Sequence, residues 1–259
     1  MRASLAESSA TSIISVRGIT VAYGAEPILQ DVSFEVATSE IVSVLGRSGC
    51  GKTTLFKVMT GLLEPLKGEV IIDGDRVLPL TLGGSVNVLR KIGVLFQSGA
   101  LFTSMTLAEN VAVPLRLHTK LSERTIVRLV TMKLDQVGLA GYAGYLPSEV
   151  SGGMRKRAAL ARAIALDPKI LFFDEPSAGL DPVTAAQLDS TILKINRSLG
   201  TTMVVVTHEP ASIFAISHRA IMLDPDEKTI IADGPPLDLA RTSQDPRVLD
   251  FFGRRPPTK

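Results

Sequence analysis

Eight consecutive residues, Gly46-Arg47-Ser48-Gly49-Cys50-Gly51-Lys52-Thr53, carry the spacing G-x-x-x-x-G-K-[ST], a pattern for capturing phosphate. Its glycines let successive backbone N–H groups converge on an anion, and a helix starting there adds positive potential. Lys52 can reach β- and γ-phosphates, Thr53 can hold Mg²⁺, and Thr54 continues into the helix behind the loop. Cys50 reads as a small loop filler rather than a redox group. A second piece is Ile170-Leu171-Phe172-Phe173-Asp174-Glu175, an apolar run that ends in two carboxylates. Adjacent strand residues point to opposite faces. Asp174 can therefore face a metal shell while Glu175 is offset towards the γ-phosphate and its attacking water.

Such residues need a scaffold that brings them to one edge. Residues 41–45, 92–95, 170–173 and 203–206 are apolar runs of strand length without polar alternation, as buried parallel strands are. Helical patterns between them imply right-handed crossovers in a parallel sheet. Open α/β sheets bind ligands at the carboxyl ends of their strands, where both chemical motifs fall. The first forty residues differ: 16–21 and 33–36 mix polar and apolar positions, as half-exposed antiparallel strands do. From about 100 to 165 no strand is legible. That stretch holds an amphipathic pattern at 121–137 and an Ala-rich run at 151–166, and reads as a helical subdomain. The Pro-rich residues 235–259 read as an extended or loosely docked tail.

Composition narrows the function. The 259 residues have a formal net charge of +2, which favours neither nucleic acid nor an acidic partner. One cysteine excludes a disulfide framework and a multi-cysteine metal site; three scattered histidines argue against a zinc cluster. Mean hydropathy is high, +0.26, yet no apolar stretch approaches the ~18–20 residues that span a bilayer. The Ala/Ser-rich N-terminus lacks the apolar core of a secretory signal, so the expectation is a chain that stays in the cytoplasm. High hydropathy without a span suggests a buried parallel sheet, a large partner surface, or both.

From about residue 13 to residue 234 the sequence resembles the nucleotide-binding subunits of ABC transporters. The most diagnostic segment is Val150-Ser151-Gly152-Gly153-Met154, similar to that family's LSGGQ signature, with Val for Leu and Met for Gln. The resemblance implies an α/β fold: a P-loop NTPase cassette with a RecA-like core, an antiparallel β edge and an inserted helical subdomain. It implies ATP as substrate with Mg²⁺, and roles residue by residue. Tyr23 looks like the adenine-stacking aromatic and Gln97 like the Q-loop glutamine that contacts Mg²⁺ or water and relays to the transporter. Ser177-Ala178-Gly179-Leu180-Asp181 resembles the D-loop, and His208 the switch histidine of the γ-phosphate. It also implies a homodimer arranged head to tail, with each ATP between one P-loop and the other subunit's Ser151, Gly152 and Gly153.

Three further segments resemble the ATPases that energise MCE-type lipid transporters: Phe96-Gln97-Ser98-Gly99-Ala100-Leu101-Phe102, Pro147-Ser148-Glu149 with the signature and Arg155, and Asp245-Pro246-Arg247-Val248. Arg47 departs from the Pro of many relatives. That resemblance implies phospholipid transport at the inner membrane. It also implies an integral-membrane permease of the MlaE type, a small STAS-domain partner of the MlaB type and a periplasmic MCE protein. Leu101 and Phe102 read either as core or as an anchor for the permease. Another ABC importer, or a soluble ABC ATPase such as an Fe–S assembly factor, stays open at this stage.

Overall fold

A computed structural model describes residues 12–24 and 26–253. The N-terminal residues read as lacking a signal, and Pro256 and Pro257 of the tail, lie outside the described residues. The chain opens with a hairpin, β1 (Ser12–Tyr23) and β2 (Glu26–Ala37). It continues through β3 (Ile41–Leu45), α1 (Lys52–Met59), β4 (Lys67–Ile72), β5 (Asp75–Arg76), α2 (Val86–Lys91) and β6 (Ile92–Leu95). Three helices follow with no strand between them: α3 (Leu107–His118), α4 (Glu123–Gln136) and α5 (Gly152–Ala163). Then come β7 (Ile170–Asp174), α6 (Pro182–Leu199), β8 (Thr202–Val206), α7 (Pro210–Ile216), β9 (Arg219–Leu223) and β10 (Ile230–Gly234). Two short helices follow, α8 (Pro236–Thr242) and α9 (Pro246–Phe252).

The strands form two sheets. β2-β1-β4-β5 is antiparallel, and β10-β9-β3-β8-β7-β6 is parallel except for its β10 edge. Strict alternation sorts the buried strands between two cores. Val42, Val44, Ile170, Phe172, Val204 and Val206 pack towards α1 and the antiparallel sheet. Ile41, Leu171, Phe173, Met203 and Val205 pack towards the helices. Both faces are apolar, so these strands read as continuous hydrophobic runs. The same parity carries Asp174 onto the α1 side of the sheet, in step with Ile170 and Phe172.

The helices start where the sequence offers caps. Thr106 and Glu109 form a reciprocal capping box for α3. Ser122 and Ser151 accept from backbone amides three residues on, at the starts of α4 and α5. Asp181 does the same for α6, with Pro182 in its first turn. α5 lies close against β6. A Cβ on Gly93 would sit 2.2 Å from the Ala163 carbonyl, so only glycine allows this approach. Among the described residues no helix is long and apolar enough to cross a membrane.

The reading of residues 235–259 as an extended or loose tail is corrected over its described part. Pro236 and Pro246 each stand in the first turn of a helix, where a missing N–H costs nothing. Asp245 caps α9 through the Arg247 amide. Val248 and Phe252 are buried against Ile213, Ala220 and Met222, and each side chain contributes ~1.5–3 kcal/mol of burial. Proline content alone does not distinguish a helix start from an extended chain.

Candidate active site

The P-loop joins β3 to α1. Gly46 adopts φ +143, and a Cβ there would meet the Leu223 carbonyl at 2.4 Å and Cys50 Sγ at 2.5 Å. Gly51, at φ +96, lies against Leu29 of β2, so the hairpin borders the loop. Arg47, Ser48, Gly49 and Thr53 are exposed, and Thr54 is half-buried. No side chain caps α1 and no acidic residue occupies its first turn, which leaves its amides directed at an incoming anion. Lys52 Nζ donates to the carbonyls of Gly46 (2.7 Å) and Arg47 (3.0 Å). Cys50 is buried, and burial pushes its thiol pKa up. Its side chain fills the loop, and its amide bonds the Arg47 carbonyl.

At the end of β7 the backbone turns sharply, with Glu175 at φ +49, an uncommon conformation for a residue with a side chain. Four bonds hold it. Its amide donates to the Val206 carbonyl at 2.8 Å. Its carbonyl accepts from Lys156 Nζ at 3.2 Å and from the Ala178 amide at 3.2 Å. Its Oε1 meets His208 Nδ1 at 2.8 Å. Glu175 Oε2 and Asp174 Oδ1 are buried without a partner. Burial first, and the neighbouring Glu175 second, raise the Asp174 pKa; Lys57, Lys156 and Lys52 oppose the shift. Buried acceptors are almost always paired within a protein, so these two oxygens mark a place completed by something else.

The remaining predicted residues are placed as follows. Gln97 is exposed just beyond β6. Edge-to-face contacts of Phe96 with Phe56 (6.1 Å) and of Phe56 with Phe172 (6.3 Å) tie its base to α1 and β7. Tyr23 stands exposed at the tip of the β1–β2 hairpin. Ser151 is exposed at the start of α5. A Cβ added at Gly152 would meet Arg155 and Leu180, and one at Gly153 would meet Thr184, with no P-loop atom among these neighbours. The chain therefore gathers Lys52, Asp174, Glu175 and His208 at one sheet edge and presents Ser151, Gly152 and Gly153 elsewhere.

Leu101 and Phe102 part company. Leu101 packs on the helical core; Phe102 is 50% exposed. Buried Asn110 fixes this loop, accepting from the Phe102 amide and donating to the carbonyls of Phe102, Met105 and Thr106. Arg162 bonds the Gly99 and Ala100 carbonyls, and its guanidinium lies 5.9 Å from the Phe102 ring centre. Sequence reasoning missed Lys156, Asn110 and Arg162. The available signal for Lys156 was its helical spacing with buried Gly153 and Leu160, which puts a lysine on the inward stripe.

Comparison with known proteins decides what this edge belongs to. Residues 29–178 match the family model described as ABC transporter. The chain belongs to the ABC transporter family. Its activity is ATP hydrolysis. A relative from Haemophilus influenzae, the intermembrane phospholipid transport system ATP-binding protein MlaF, is 42% identical over 93% of this chain and 90% of its own length. A probable ribonucleotide transport ATP-binding protein of Mycobacterium leprae is also 42% identical, over 93% of this chain and 69% of its own. Among solved structures, a dimeric ATP-binding cassette bound to ADP and phosphate in a post-hydrolysis state superposes with a TM-score of 0.74. It is 28% identical and is matched over 86% of this chain and 98% of that one. The ABC fold, with its parallel core, antiparallel edge and helical insert, is the one observed.

Proposed function

We propose that this chain is the ATP-hydrolysing subunit of a membrane transporter that moves phospholipid between inner and outer membranes, maintaining outer-membrane lipid asymmetry. The observation that carries the catalytic part is the 2.8 Å contact of His208 with Glu175 Oε1, which leaves Oε2 without a partner beside the P-loop. That oxygen accepts the proton of the attacking water, and His208 holds the carboxylate in register with the γ-phosphate. Lys52 and the loop from Gly46 to Thr54 hold the phosphates; Tyr23 stacks on the adenine, and Gln97 reports on the site. Mg²⁺ fits the donors present: the unpartnered Asp174 Oδ1, with Thr53 and Gln97, supplies hard oxygen ligands. When bound, the ion neutralises charge on the phosphates.

Ser151, Gly152 and Gly153 then serve the nucleotide of a second copy in a head-to-tail homodimer. ATP bridges the two helix ends and hydrolysis removes the bridge, which shifts the dimer between closed and open forms. Phe102 rims a groove of about 270 Å³ with Leu89, Val94, Pro114 and Leu117, which suits the permease, an integral-membrane protein of the MlaE type. A small STAS-domain protein of the MlaB type and a periplasmic MCE protein complete the complex. The chain then lies on the cytoplasmic face of the inner membrane, and no nucleic acid takes part. The Mycobacterium relative's name points to another cargo. The fuller coverage of the Haemophilus relative favours phospholipid.

The test is purification of the endogenous complex, followed by ATP hydrolysis and lipid movement in the same preparation. Co-purification with an integral-membrane subunit, and loss of outer-membrane integrity in a Lys52→Ala strain, are expected. A soluble complex, or transport of ribonucleotides with lipid left in place, defeats the reading.

A further inference from the structure

Two lysines are buried among the described residues, Lys133 and Lys156, and they are treated differently. Lys133 meets the carboxylate of Asp167, the usual way to compensate a buried ammonium. Among the described residues no carboxylate lies within ion-pair distance of Lys156; its hydrogen bond is to the backbone carbonyl of Glu175, at 3.2 Å, which it shares with the Ala178 amide. It still faces the acidic pair electrostatically, with burial drawing its own pKa down and Glu175 and Asp174 drawing it up. The carbonyl it holds belongs to a residue at φ +49, whose side chain bonds His208. A shift in that backbone re-aims the carboxylate.

Lys156 is the fifth residue of α5, whose first turn begins at Ser151. At 1.5 Å per residue the two ends of this link are ~8 Å apart on one rigid helix. The helix that presents Ser151 outwards therefore also grips Glu175 of its own chain. We propose that Lys156 is a positioning residue for Glu175, through which the signature helix of a chain sets the hydrolytic carboxylate of that same chain. This rests on the reading of Glu175 as the water-activating base and of the protein as a homodimer.

Two mixed dimers within the whole complex test it, each holding one Lys156→Met and one Glu175→Gln. In the first, the substitutions sit on different chains, so the only intact Glu175 lacks its lysine. In the second they share a chain, so the other chain keeps both residues. The first should lose turnover by up to ~100-fold relative to the second, as misplacement of a reacting group does, with KM for ATP unchanged. Lys156→Arg in place of Met should restore most of the rate. If Lys156→Met chains do not assemble, the same pair built with Lys156→Gln, which shortens the reach, should show the same asymmetry. Equal rates in the two arrangements overturn the proposal, whether both are high or both low. Normal hydrolysis by a dimer with Glu175→Gln on both chains overturns instead the Glu175 role on which it rests.

Discussion

The two ends of the parallel strands are built on opposite rules. At the amino ends, charges are matched inside the chain. Asp73 takes Lys169 at 2.8 Å and Lys91 at 2.9 Å, and Lys91 also reaches Asp75. Glu40 meets Arg219, and Asn196 ties the Ser39 and Thr201 carbonyls together. At the carboxyl ends, Asp174 Oδ1, Glu175 Oε2 and Ser177 Oγ have no partner. Asp73 and Asp174 show the contrast in their pKa shifts: Lys169 and Lys91 hold Asp73 below the usual carboxylate range, whereas burial lifts Asp174 above it. Asp233, paired with Arg219, is lifted by burial all the same. One end is finished by the chain itself. The other keeps buried acceptors that the chain leaves unpaired, and the proposed nucleotide site lies there.

The largest effect should come from breaking the unfinished end. Glu175→Gln keeps the shape and the nucleotide site but cannot accept the water's proton. Turnover should fall ~10²–10⁴-fold with ATP binding retained, read by steady-state hydrolysis beside nucleotide binding. Near-normal turnover would remove Glu175 from proton transfer.

Next in size is the surface proposed to complete a second copy. Gly153 is a poor probe of it, because a Cβ there would approach Thr184 Cγ2 of the same chain to 2.3 Å. Gly152 is the sharper probe, since a Cβ would have 3.8 Å to its nearest neighbour. Gly152→Asp should leave P-loop binding intact and abolish ATP-driven dimerisation, checked by light scattering with and without ATP. Dimerisation at wild-type ATP concentrations would separate the signature from the shared site.

A smaller and divided effect is expected where the loop after Gln97 faces both ways. Leu101→Ser removes a partly buried side chain packed on the helical core and should cost about 1–2 kcal/mol of stability. Phe102→Ser should leave stability unchanged and weaken retention of the permease, by up to ~1.5–3 kcal/mol for one large apolar side chain no longer buried there. Melting curves and co-purification separate the two, and equal destabilisation would make Phe102 core as well.

How much of this is legible in the sequence follows from how local each feature is. The strand from Ile41 to Leu45 and the P-loop behind it are contiguous, so periodicity and motif suffice. Asp174 is legible because strand parity is local too, whereas Glu175 lies one residue past β7 at φ +49 and is aimed by Val206 and His208 rather than by parity. The Lys156–Glu175 bond spans 19 residues, and β9 beside β3 spans far more; neither leaves a local mark. Gly153 reads as an anion-binding glycine, while its packing on Thr184 depends on how α5 meets α6. The prolines after Gly234 support a helix start or an extended chain equally well until α7 and β9 are there to receive Val248.

The smallest effect tests the comparison most directly, by making one substitution at each end. Asp73 adopts φ +47, which Asn tolerates, so Asp73→Asn removes charge without straining the turn. A carboxyl whose folded pKa is depressed contributes stability above its unfolded pKa and loses it as pH falls through the folded value. Asp73→Asn should therefore lower the melting temperature at pH 7. The partly exposed Lys169 limits the cost to about 1 kcal/mol, or ~2–4 °C for a chain of this size. The gap to wild type should close as pH drops below about 4. Asp174 carries the opposite sign. Its raised folded pKa means that the charged form opposes folding above the unfolded pKa. In chelator-containing, nucleotide-free buffer Asp174→Asn should raise the melting temperature at pH 7, and the gain should vanish towards acid. If both variants shift the same way, satisfaction of charge is not what distinguishes the two ends of the sheet.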